Sequence, residues 1–118
     1  MSGEVPEISV ADAAKLLGET KLPGAAKPPR LIDVREEDEW AAARIAGAEL
    51  LPLSRWPEIA LEKLTDKSQP LLIQCHHGGR SARAAEWLLG QGFTDVTNLA
   101  GGIDAWSALV DPTVPRYQ

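Results

Sequence analysis

The chain has 118 residues, 44% of them hydrophobic and 25% charged, with four tryptophans, which suits one folded domain over residues 1–118 and leaves no room for a second. The formal net charge of -5, without any basic run, opposes nucleic-acid binding. A single cysteine, Cys75, excludes an internal disulfide and a multi-cysteine metal site, and no apolar run approaches membrane-spanning length.

The first six residues carry neither the positive segment nor the apolar stretch of an export signal, so a cytoplasmic location is expected. Residues 7–10 read as a short strand, and Ser9 is placed to cap a helix over 11–17 that stops at Gly18. Residues 19–29 hold three prolines and a glycine without periodicity, the composition of a surface loop. The apolar run 30–34, ended by charge, predicts a buried parallel strand, and 36–43 follows as a helix with acid at its start. A third strand is expected at 48–52. Beyond it, Trp56, Ile59, Ala60 and Leu64 repeat at helical spacing, with Pro57 in the first turn.

Residues 70–75 form the most apolar strand, which predicts the centre of the sheet. A helix follows over 81–90, built on the pairs Ala84/Leu88 and Ala85/Leu89, with Gly90 and Gly92 as its stop. Residues 96–99 make a fifth strand, 102–109 a last helix, and 110–118 a short C-terminal tail. Strands alternating with helices predict an α/β fold, a single open, mostly parallel five-stranded sheet with helices on both faces. Sites in such sheets lie beyond the carboxyl ends of the strands, where Cys75 sits.

The segment Cys75-His76-His77-Gly78-Gly79-Arg80-Ser81 must turn tightly between a buried strand and a helix N-terminus. Two adjacent glycines permit positive φ, so that successive N–H groups can face the sulfur as a nest, with the helix dipole behind them. Arg80 adds a fixed cation, and the thiol pKa is expected to fall. An anion is therefore favoured here, whether a thiolate, a persulfide or a bound oxyanion. His76 and His77, with one cysteine, lack a complete metal ligand set; they are expected to line the loop, and no metal or other cofactor is expected. A buried structural cysteine is the competing reading, and it has no need of Gly-Gly and Arg within five positions.

On these residues the chain resembles the rhodanese (thiosulfate sulfurtransferase) family along nearly its whole length. Residues 31–36 (Leu-Ile-Asp-Val-Arg-Glu) resemble the family's first signature, with Glu39-Trp40 as its acid-aromatic pair, and Ile45-Ala46-Gly47-Ala48 resembles the second. Residues 75–81 resemble the active-site loop, and Gly92-Phe93 through Leu99-Ala100-Gly101-Gly102-Ile103-Asp104-Ala105-Trp106 the C-terminal signature. Ala43-Arg44 and Ala46 depart from the glycine-histidine pair and proline that the second signature usually carries.

The resemblance implies that Cys75 accepts a sulfane sulfur from a small-molecule donor, thiosulfate or a persulfide, and passes it to a thiophilic acceptor. Cyanide serves in assays, and a thiol, thioredoxin or a sulfur-carrier protein in a cell. Residues 110–117 are similar to the end of rhodanese modules appended to ubiquitin-like adenylyltransferases of thiamine and molybdopterin pathways. The resemblance places Asp33 and Arg35 beneath or beside the loop as supporting residues, whereas a salt bridge from Arg35 to Glu39, one helical turn on, explains them structurally. Two alternatives stand beside this reading. A cysteine phosphatase has five residues between its cysteine and arginine where this chain has four, and a histidine where Gln74 stands. A non-catalytic rhodanese-like binding or regulatory module usually lacks the cysteine.

Overall fold

The computed structural model describes residues 5–19 and 28–116. Its strands are β1 (Glu7–Ile8), β2 (Arg30–Asp33), β3 (Glu49–Leu50), β4 (Leu71–Gln74) and β5 (Val96–Leu99). The helices are α1 (Val10–Glu19), α2 (Glu37–Ala42), α3 (Glu58–Lys63), α4 (Gly79–Gly90) and α5 (Gly102–Leu109), with a 3-10 turn at Leu53–Arg55. Every strand pairing is parallel, in the order β1-β5-β4-β2-β3.

The centre is β4, as its composition predicts: all four of its residues are buried, because helices cover both faces of the sheet. Ile73 and Cys75 face one core with Ala84, Ala85 and Leu88 of α4, while Leu72 faces the other with Val10, Ile103 and Trp106 of α1 and α5. Each fully buried leucine or isoleucine in these layers contributes about 1.5–3 kcal/mol.

Several boundaries move from their sequence expectation. The first strand ends at Ile8 because the Ser9 hydroxyl accepts the Asp12 N–H at 3.1 Å and starts α1 a residue early. That helix then runs through Gly18 to Glu19. The third strand keeps only Glu49–Leu50, since the chain turns into the 3-10 segment at Pro52. Of the expected loop over 19–29, residues 20–27 lie outside the described residues. The segment after α5 folds back: Val114 is buried, its carbonyl accepts the Ser107 hydroxyl, and Arg116 grips Asp104 with two bonds of 3.0 Å. Among the described residues no helix is long and apolar enough to cross a membrane.

Candidate active site

After β4 the chain passes through α4 on one face of the sheet, and after β5 through α5 on the other. Adjacent strands whose connections diverge leave a crevice at their carboxyl ends. Cys75 stands in it as the first residue beyond β4. The two loops are stitched together: Ile103 N–H donates to the Cys75 carbonyl at 2.8 Å and Asp104 N–H to the His76 carbonyl at 3.1 Å. Glycine at 102 is what allows this approach, because a Cβ there would stand 2.1 Å from the Cys75 carbonyl oxygen.

The Cys75 side chain is almost wholly buried, at 1% exposure. Its sulfur accepts the Gly78 N–H at 3.0 Å and contacts the Ser81 hydroxyl at 3.3 Å. Burial pushes the thiol up, but the Ser81 hydroxyl and the backbone N–H groups of Ser81, Gly78 and His77 outweigh it, leaving Cys75 below its ordinary value. The loop turns as its two glycines lead one to expect, with one correction. Only Gly78 adopts positive φ (+113°), whereas Gly79 is the first residue of α4, two residues earlier than periodicity indicates. One left-handed residue suffices to reverse the chain, and helical backbone then aims the following N–H groups at the sulfur.

The cation is also arranged differently from the expectation. Arg80 donates to both carboxylate oxygens of Glu39, at 2.6 and 2.8 Å, so its charge is matched by an acid instead of standing open beside the sulfur.

Asp33 and Arg35 are fully buried and paired with each other, at 2.7 Å for the shortest contact. Arg35 also donates to the Ala43 carbonyl at 2.7 Å and to the Glu39 backbone carbonyl at 3.3 Å. The carboxylate of Glu39, by contrast, binds Arg80 and the Glu36 N–H. The expected Arg35–Glu39 pairing thus runs at least through the backbone. Asp33 lies in register with Gln74, one residue before the cysteine, so this pair buttresses the floor of the site.

His76 and His77 stack with ring centroids 3.9 Å apart at the mouth, and His77 comes within 3.7 Å of Asp104. These three residues bring ligand-type atoms within 4.8 Å of one another. Both oxygens of Asp104 already accept bonds from Arg116, which holds its carboxyl below the usual range, with smaller pulls from His77 and His76. The set is better matched to a salt bridge than to a metal.

Sequence reasoning missed Asn98 and Glu7. Asn98, 1% exposed on β5, bonds Ser81, Gly78 and Glu7. A polar residue inside the run Val96-Thr97-Asn98-Leu99 was the available signal.

Residues 9–109 match the family described as Rhodanese-like domain. The chain is 34% identical to thiosulfate sulfurtransferase GlpE of Pseudoalteromonas translucida, over 92% of this chain and 95% of that one. It is 41% identical to the chloroplastic Rhodanese-like/PpiC domain-containing protein 12 of Arabidopsis thaliana, over 75% of this chain but only 30% of that protein's length. Among solved structures, a rhodanese-like domain protein from Staphylococcus aureus superposes with a TM-score of 0.75 at 28% identity, covering 97% of this chain and all of the other.

Proposed function

Because the chain belongs to the rhodanese-like domain family, we propose that it is a sulfurtransferase whose Cys75 carries a sulfane sulfur between a donor and a thiophilic acceptor. The observation that carries this reading is the Cys75 sulfur in the β4–α4 crevice, ringed by N–H groups that favour its anion.

The steps balance without a cofactor. The Cys75 thiolate attacks the outer sulfur of thiosulfate, a sulfur–sulfur bond forms, and sulfite leaves with the electron pair of the bond that breaks. The resulting Cys75 persulfide is then attacked at its outer sulfur by a thiol, small or carried by thioredoxin, and the cysteine thiolate is released. The histidine pair at the mouth and the buried Sγ limit access to slender acceptors; a sulfur-carrier tail is slender enough to compete with thiols. A reducing compartment, the cytoplasm, suits an enzyme that depends on one unpaired thiol.

Phosphatase chemistry is disfavoured on two counts. Four residues separate Cys75 from Arg80, and the guanidinium that would clamp a phosphoryl group is engaged by Glu39. The test is intact-mass measurement after thiosulfate treatment, with and without cyanide. Wild type gains one sulfur and loses it to cyanide, and Cys75→Ser does neither. Persulfide on the serine variant, or turnover of an aryl phosphate by wild type, would overturn the reading.

A further inference from the structure

The Ser81 hydroxyl has one proton and three acceptors around it: Asn98 Oδ1 at 2.5 Å, the Gly78 carbonyl at 3.2 Å and the Cys75 sulfur at 3.3 Å. Which of them receives the proton is decided by the asparagine. Its Nδ2 donates to Glu7 Oε2 and to the Gly78 carbonyl, each at 3.2 Å, and both are acceptors that an amide oxygen cannot serve. The amide is therefore fixed with Oδ1 toward Ser81. Asn98 is buried, so surrendering the hydroxyl would leave a carbonyl oxygen unpaired in the interior.

We propose that Asn98 is a positioning residue: anchored by Glu7 and the Gly78 carbonyl, its amide competes with Cys75 for the Ser81 hydroxyl proton, so that this hydroxyl, the strongest donor within reach of the sulfur, serves the thiolate only in part and the backbone N–H groups of the loop supply the rest. A thiolate with fewer donors is intrinsically the better nucleophile, at the cost of a smaller thiolate fraction below its pKa. The further consequence rests on the sulfur-transfer reading. Once Cys75 is a persulfide the charge lies on the outer sulfur, and the hydroxyl stays on Asn98 at no loss. The arrangement withholds stabilisation from the free thiolate alone, which favours sulfur uptake.

The experiment measures the ionisation of Cys75, by thiolate ultraviolet absorbance and by the pH profile of iodoacetamide alkylation, in wild type, Asn98→Ala, Ser81→Ala and the double variant. Charged and titratable groups on the surrounding elements remain in place throughout. They are Glu7 on β1, the Asp33–Arg35 pair, the Glu39–Arg80 pair between α2 and α4, and His76 and His77 with Asp104 of α5 and Arg116 of the segment after it.

Asn98→Ala is expected to lower the midpoint by about half to one pH unit, roughly three- to tenfold more thiolate below it. Ser81→Ala should raise it by less than about half a unit, and the double variant should match Ser81→Ala. The proposal is overturned if folded Asn98→Ala shows an unchanged or higher midpoint, or if its shift persists without Ser81. Should Asn98→Ala not fold, Ser81→Ala decides alone: a larger rise means that the hydroxyl already serves the sulfur in full. A wild type that titrates as described but never takes up sulfur would sink the sulfurtransferase reading and leave the Asn98 role standing.

Discussion

Glu39 and Arg80, 41 residues apart in sequence, face each other fork to fork, with contacts of 2.6 and 2.8 Å. The pair ties the first turn of α4, which carries the reactive loop, to α2. A cation so matched is held in place together with the loop helix, and its charge is offset by the carboxylate beside it.

Arg80→Ala is accordingly expected to move the alkylation midpoint of Cys75 by less than about half a unit. It should cost about 1 kcal/mol in chemical denaturation, since the pair is bidentate yet partly exposed. An upward shift of a full unit would show that Arg80 acts on the thiolate directly.

The two loop glycines are expected to behave oppositely. Gly78 sits at φ +113° with ordinary contact distances around its Cβ position, so Gly78→Ala suffers backbone strain of about 1–2 kcal/mol. That strain swings its N–H off the sulfur and slows persulfide formation. Gly79 is helical and open on its Cβ side, and Gly79→Ala is expected to be neutral or to stabilise by up to about 1 kcal/mol. Thermal unfolding and mass-detected sulfur uptake of both variants check the contrast; equal losses would contradict the assigned conformations.

The lowered Cys75 thiol carries a sign for pH. A group whose folded-state pKa is depressed stabilises the fold fully above its unfolded value and progressively less as pH falls through the folded one. Sulfur uptake should therefore rise with pH to a plateau reached below the ordinary cysteine range. The difference in stability between wild type and Cys75→Ser should shift in favour of wild type as pH rises from the folded-state value of the thiol to its unfolded one. Denaturant titrations at several pH values test this, and a pH-independent difference would mean that the nest does not favour the thiolate.

Arg35 and Asp33 are both at 0% exposure, so removing one partner strands a buried charge. Arg35→Ala is expected to cost about 3–5 kcal/mol, measured by denaturant unfolding. A loss under about 1 kcal/mol would show that Asp33 is satisfied without the guanidinium.

What the sequence determined by itself is local or periodic. Short runs bounded by turn or charged residues marked the strands, the most apolar of them proved central, and Gly-Gly after a strand-end cysteine marked the tight turn into α4. Composition could not decide which glycine takes the left-handed turn, because both can; the start of α4 at Gly79 settles it. Nor could spacing foresee that Arg80 meets Glu39, that Glu7 anchors Asn98 across 91 residues, or that Gly102 must lack a side chain to admit the Cys75 carbonyl. Those relationships depend on the strand order β1-β5-β4-β2-β3, which brings β1 and β5 side by side and lays the β5–α5 loop on the β4–α4 loop. Side-chain periodicity reports which face of an element is buried. It carries no information on which distant polar group waits there, and only the packed sheet supplies that.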